Sequence, residues 1–249
     1  GGVYLEGLEG DEGGERFLWH GQYHYDMNAR DTLDTQLNVL ASFEPDLPAC
    51  YLDSDIVCLG NLEPGIQRDV LDQVDDPEFV MADTMNYWIE NTPDSLRTTL
   101  SQVDCFVIND AEARELADEP NLVRAASLIR DMGPETLIIK KGEHGALLFT
   151  DHSVFSAPAY PLDDIQDPTG AGDAFAGGLA GHLYQSGGLD PEALRRGVIY
   201  GSVMASFVVQ RYGPDKLLDL TRTDITERAR SFRELAAIPT LVPLDKQLA

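Results

Sequence analysis

Asp167-Pro168-Thr169-Gly170-Ala171-Gly172-Asp173-Ala174-Phe175-Ala176-Gly177-Gly178 joins a glycine-rich turn to an apolar run, residues 174–184, with an acidic residue at the junction. A short β-prone run, residues 153–157, lies upstream. This order predicts a strand, a turn and then a buried helix. The amides that open a helix lack internal acceptors and carry the positive end of its dipole. Gly170 and Gly172 would let the backbone approach a ligand closely, so the turn predicts an anion cradle. Asp173 sits inside that cradle. A carboxylate beside an anion site suits a base that takes a proton from a hydroxyl attacking a phosphate. The plain alternative is a helix-terminal Asp that complements the dipole.

Three other stretches place polar residues at the ends of apolar runs. Asn109-Asp110-Ala111-Glu112 follows a strand-like run and opens an acidic helix. Asn109 and Glu112, three apart, face one side of the first turn, as a capping box or as a pair of ligands. Lys140-Lys141-Gly142-Glu143-His144-Gly145 holds half of the chain's four lysines. An ordinary hairpin with exposed lysines would also explain it. Asp83-Thr84-Met85-Asn86 follows a further strand. Loops at the carboxyl ends of parallel strands host ligands, so Asp83 and Asn86 are candidates for substrate or phosphate proximity. A helix N-cap accounts for them equally. His20 and His24 have no third ligand nearby, and zinc is not expected.

The elements that must position these residues alternate in type. Strands are predicted over residues 55–60, 79–83, 105–109, 136–140 and 146–150. Helices are predicted over residues 64–74, 92–103, 110–116, 122–132, 191–209 and 224–235. Such alternation implies βαβ units, a mostly parallel sheet and right-handed crossovers. Residues 3–8 and 16–25 read as a hairpin around an acidic, Gly-rich turn, and residues 30–43 as a further strand. The tail from Pro239 is expected at the surface or disordered.

The twelve-residue stretch resembles the C-terminal signature of the PfkB/ribokinase family of sugar and nucleoside kinases. That resemblance implies a three-layer α/β fold, a doubly wound, mostly parallel sheet with helices on both faces and a small β lid. Residues 1–45 would be the lid and residues 46–249 the nucleotide-binding and catalytic domain. It implies ATP, Mg²⁺ and a sugar or sugar-like polyol as acceptor. Asp173 would be the base, with Gly170, Ala171 and Gly172 as the anion hole. Asn109 and Glu112 would order Mg²⁺. Lys140, Gly142 and Gly145 match the turn that lies along the nucleotide. Ser202 and Gly213 match further nucleotide positions. Asp167 and Thr169 match positions that hold a monovalent cation, so K⁺ is a candidate, with carbonyls from residues 209–214. Trp19, Tyr23 and His24 would cover the sugar, and the lid offers a homodimer surface.

The resemblance runs from about residue 1 to residue 236. Family members begin with a strand bearing a substrate-binding Asp, then a Gly-Gly motif, and neither precedes the aromatic stretch here. The expectation is therefore a chain that lacks one to two βαβ units and half of the acceptor pocket. A nucleotide-binding module without turnover, from truncation or as a pseudokinase, is the alternative reading. An unrelated dehydrogenase is disfavoured, because no Gly-x-Gly-x-x-Gly follows an early strand.

The 249 residues are 43% hydrophobic, enough for one α/β domain with a full core. Eighteen basic residues oppose 43 acidic ones, a net charge of −25. That balance argues against nucleic acid, which wants a basic face. Such self-repulsion is screened at about 1 M salt, where the Debye length is ~3 Å, so a salt-rich cytoplasm fits. No run of 18 apolar residues exists, so no membrane helix is expected. Cys50, Cys58 and Cys105 form no disulfide framework and suggest reduced thiols in a cytoplasm. Cys58 and Cys105 lie in apolar runs and read as core.

Overall fold

The computed structural model describes residues 4–8, 10, 13–25, 27, 30–151 and 153–237. Val3, Asp11, Glu12 and the tail from Pro239, all covered by the expectations above, lie outside the described residues.

Two strands, β1 (Leu18–Tyr23) and β2 (Arg30–Gln36), pair antiparallel as a separate two-stranded sheet. The expected hairpin thus has a different partner: residues 16–25 pair with the following run, and residues 4–8 form no strand. Strand β2, nearly all polar and exposed, is the first half of the strand expected over residues 30–43; Asn38–Ser42 form a 3-10 turn instead.

A short helix α1 (Ala49–Leu52) leads into the main sheet. The order is then β3 (Ile56–Leu59), α2 (Pro64–Leu71), β4 (Phe79–Asp83), α3 (Asn86–Asn91), α4 (Pro93–Leu100), β5 (Cys105–Asn109), α5 (Asp110–Ala117), α6 (Leu122–Arg130) and β6 (Thr136–Lys140). After these come β7 (Ala146–Phe149), β8 (Val154–Ala157), α7 (Ala171–Ser186), α8 (Pro191–Val208), α9 (Asp215–Leu218) and α10 (Arg222–Leu235). Among the described residues six strands form one sheet in chain order, parallel from β3 to β6, with β7 antiparallel to both neighbours. Prolines at the first turns of α2, α4 and α8 supply the fixed φ of a helix start where no N–H partner is needed.

Successive residues of each strand point to opposite faces. Val57, Val80, Ala82, Phe106, Ile108, Leu137 and Ile139 pack against helices α3 to α6. Met81, Cys105, Val107, Ile138 and Leu148 pack against α7 and α8. Helices therefore cover both faces, as the α/β expectation requires. The central strands are fully enclosed, and each buried Ile, Leu or Phe there contributes about 2 kcal/mol through lost water contact. Cys105 is buried as expected, but Cys58 is exposed. It sits on the edge strand β3, where only one neighbour screens it.

Helices α7 and α8 pack unusually closely because glycines meet backbone at the crossing. A Cβ on Gly178 would lie 2.7 Å from the Tyr200 carbonyl oxygen, and one on Gly201 2.8 Å from that of Phe175. Helix α10 docks on α8 through buried Phe232 and through Arg228, whose guanidinium lies between the rings of Tyr160 and Phe207 at 4.2 and 4.1 Å. Among the described residues no helix is long and apolar enough to cross a membrane.

Candidate functional site

Asp83, Asn109 and Lys140 end three adjacent parallel strands, β4, β5 and β6. Asn109 and Lys140 are direct register partners. Asp83 pairs with Val107, two residues before Asn109, so the parallel ladder sets all three polar side chains on one face near the carboxyl edge of the sheet, where ligands of such folds sit. Lys140 Nζ donates to Asp83 Oδ2 at 3.2 Å, with both side chains largely buried. Asp83 Oδ1 accepts from the Thr84 amide at 2.7 Å.

The glycine-rich turn meets this row. Helix α7 begins at Ala171, after Gly170 at φ +82°, a left-handed conformation that glycine adopts without strain. Among the described residues no side chain caps the helix start. The Ala171 amide donates to the Pro168 carbonyl at 3.2 Å, so of the three expected anion-hole residues this one already has a partner. A Cβ on Gly172 would lie 3.0 Å from Lys140 Nζ. The missing side chain therefore makes room for the ammonium beside the helix start. Asp173 follows and is exposed. Its carboxyl is held above the ordinary Asp range by partial desolvation first and by the nearby Asp83 charge second, with Lys140 opposing.

Asn109 and Glu112 form the capping box that their spacing allows. Asn109 Oδ1 accepts from the Glu112 amide at 2.9 Å, and Glu112 Oε2 accepts from the Asn109 amide at 3.1 Å. Capping does not exhaust Glu112. It is 4% exposed, and burial raises its carboxyl to about 7 against the pull of Lys140, the Asn109 amide and Arg30, with Asp83 adding to the rise. Its other oxygen, Oε1, accepts from Arg30 at 3.4 Å. A buried carboxylate with a free lone pair beside an anion cradle fits a divalent cation that keeps most of its waters. Among the described residues no cluster of three acidic, His or Cys side chains stands ready to enclose an ion. One or two carboxylates plus phosphate oxygens is the donor set that Mg²⁺ accepts.

The Gly142–His144 turn after β6 is a single 3-10 turn. Lys141 and Gly145 close it through a 2.7 Å amide-to-carbonyl bond. Gly145 has φ +82°, and a Cβ there would lie 2.0 Å from the Ala157 carbonyl oxygen. Only glycine lets this turn lie against the end of β8.

The hairpin closes on both halves of the site. Tyr23 and Arg30, the last register pair of the β1–β2 ladder, diverge: the Tyr23 hydroxyl lies 3.2 Å from Thr169 Oγ1, and Arg30 reaches Glu112. Arg30 also lies over the Trp19 ring at 5.5 Å, and Trp19 meets Tyr23 edge-on. Trp19 and Tyr23 line a ≈ 430 Å³ cavity against Gln166, Asp167, Pro168 and Thr169. His24 does not line it; it pairs with Asp31 at 3.1 Å. Asp167, Thr169, Gly170, Asp173 and Gly213 share a second, larger cleft of ≈ 1310 Å³ along α7. Asp167 Oδ1 accepts from the Thr169 amide at 2.9 Å. The Val209 carbonyl, expected as a cation ligand, accepts from the amides of Gln166 and Asp167 at 2.8 and 3.3 Å. Ser202 is buried in mid-α8 and donates its hydroxyl to the Val198 carbonyl, which leaves it no proton for a nucleotide. Asn86 is the half-buried first residue of α3. Arg30 and the Asp83–Lys140 pair carry no local signal; 82 and 57 residues separate their partners.

Residues 52–219 match the sequence profile described as pfkB family carbohydrate kinase. The chain is 32% identical over 144 residues to the cytidine kinase of Thermococcus kodakarensis, covering 56% of this chain and 51% of that protein. It is 34% identical over 118 residues to the 1-phosphofructokinase of Haloferax volcanii, covering 47% and 38%. The chain thus spans about half the length, or less, of these relatives. Its fold superposes on the nucleoside kinase of Methanocaldococcus jannaschii with a TM-score of 0.66 at 19% identity, covering 88% of this chain and 70% of that one. It superposes on the aminoimidazole riboside kinase of Salmonella enterica, solved with aminoimidazole riboside and an ATP analogue, with a TM-score of 0.63 at 22% identity, covering 74% and 65%.

Proposed function

The chain belongs to the pfkB family of carbohydrate kinases, and we propose that it transfers the terminal phosphoryl group of ATP to a hydroxyl of a sugar or sugar-like polyol, free or within a nucleoside. The observation that carries this reading is the closeness of Asp173, the start of α7 and Lys140, whose ammonium lies beside Gly172. The nucleotide would lie along the turn closed by Gly142 and Gly145, its phosphates running toward Lys140. The amides at the start of α7 other than that of Ala171, together with the Lys140 ammonium, would face the place where negative charge develops on the transferred group, and such prepositioned donors are worth most in a water-poor cleft. Asp173 takes the proton from the attacking hydroxyl. Its raised affinity for protons brings it nearer to the hydroxyl it must serve. Glu112, with Asn109, would face Mg²⁺, which when bound neutralises phosphate oxygens. Asp167 and Thr169 flank the turn and would hold K⁺. Trp19 and Tyr23 would shield the acceptor from water.

The test is to incubate the chain with radiolabelled ATP, Mg²⁺ and a panel of free sugars and nucleosides. Asp173→Asn should lower turnover by roughly 10²–10⁴-fold and leave ATP affinity within a few-fold. Wild-type turnover in that variant would remove Asp173 from the mechanism. ATP binding by the wild type without transfer to any acceptor would favour a nucleotide-binding module instead.

A further inference from the structure

Lys140 stands among three carboxylates, those of Asp83, Glu112 and Asp173, on a flexible four-carbon stem. A lysine so placed could turn to any of them. Two of the three are poor anchors. Glu112 commits one oxygen to the Asn109 amide and turns the other to Arg30. Asp173 is exposed. Asp83 differs: its Oδ1 is pinned by the adjacent Thr84 amide at 2.7 Å, and that bond aims Oδ2 at the ammonium. Asp83 is 9% exposed, so little water competes. The ammonium so held rests against Gly172, where a Cβ would leave it only 3.0 Å.

We propose that Asp83 is a positioning residue: it fixes Lys140 at the opening of α7, so that the donors not used by Asp83 face the incoming phosphate. This rests on the kinase reading above and names the residue that makes Lys140 ready before the nucleotide arrives. An ammonium has three donors, so the Asp83 bond and a phosphate contact are compatible. Ordering a long side chain in advance removes an entropy cost from binding, and the gain appears in nucleotide affinity rather than in the chemical step.

The experiment measures ATP affinity by titration calorimetry, and KM for ATP and kcat wherever turnover is found, for the wild type, Asp83→Asn, Lys140→Met and the double variant. Asparagine keeps the oxygen that accepts from Thr84 and removes the charge that holds the lysine. Asp83→Asn should weaken ATP binding on the order of tenfold and raise KM with kcat within a few-fold, the reverse of the Asp173→Asn pattern. In the Lys140→Met background it should have no further effect, because its action runs through Lys140. If Asp83→Asn lowers the melting temperature, Lys140→Met should restore it by removing the ammonium that the new amide faces. Equal losses in both backgrounds, unchanged ATP affinity in Asp83→Asn, or a melting temperature that the second substitution does not restore would overturn the proposal while leaving the kinase reading intact. A wild-type chain that binds no ATP would overturn both.

Discussion

At pH 8.5, Glu112→Gln should stabilise the fold by up to about 3 kcal/mol, and at pH 5 it should not. The carboxyl is 4% exposed, and burial is the largest influence on it. Lys140, the Asn109 amide and Arg30 offset part of that cost, and the group settles at about 7 instead of 4.5. An acid whose folded pKa lies above its unfolded value binds more protons in the folded state between those two pH values. Its contribution is therefore fully present below about 4.5, declines as pH rises toward about 7 and is lost above. At 1.36 kcal/mol per pKa unit, the separation corresponds to about 3 kcal/mol. Glutamine has nearly the same shape, stays neutral and keeps an oxygen for the Asn109 amide. It gives up the charged contact with Arg30, which at 3.4 Å and partial exposure is worth about 1 kcal/mol or less. Urea denaturation in EDTA at pH 5, 7 and 8.5 reads the difference directly. A stability difference between variant and wild type that stays constant across this range would refute the burial argument. In the kinase assay the same variant should need more Mg²⁺ for half-maximal activity, which capping alone would not produce.

Gly145→Ala should destabilise by roughly 3 kcal/mol or more, because φ is +82° and the new Cβ would meet the Ala157 carbonyl oxygen at 2.0 Å; a melting temperature within a degree of wild type would contradict this. Gly172→Ala should fold normally, since its close neighbour is the movable end of Lys140, yet lose ATP affinity on the order of tenfold; calorimetry beside a thermal melt separates the two effects. With a net charge of −25, the melting temperature should rise from low salt to molar KCl, and a flat or falling curve would show that self-repulsion does not limit stability.

Much of the α/β core was legible as local pattern. Strands Phe79–Asp83, Cys105–Asn109 and Thr136–Lys140 are short apolar runs bounded by polar residues, and they occur where expected. Helix starts were legible at Pro64, Asn109 and Pro191, where a proline or a cap stands at the first turn, but α10 begins at Arg222, ahead of the expected residue 224, and the four-residue helices α1 and α9 were not expected. Helix α3 was not, because its six residues end directly at Thr92-Pro93, where a second helix begins. A strand was expected where β2 lies, but its pairing with β1 was missed, because a mostly polar, exposed strand carries no pattern that names its partner.

The candidate site divides along the same line. Residue types and spacing determined that Asp173 follows a glycine-rich helix start and that Asn109 and Glu112 share one helical turn. Both are relations within a few residues, which backbone geometry dictates. Which strand ends stand side by side is a different quantity. An apolar run specifies that a strand is buried but not which strand is its neighbour, so the Asp83–Lys140 pair exists only once β4, β5 and β6 are ordered in the sheet. The same holds for Arg30 with Glu112 and for Tyr23 with Thr169, 146 residues apart, which meet only because the hairpin folds over the crevice. The sequence determined which side chains could do the chemistry; their charge environment, with Glu112 at about 7 and Lys140 claimed by Asp83, was decided by burial and by long-range register that no local pattern encodes.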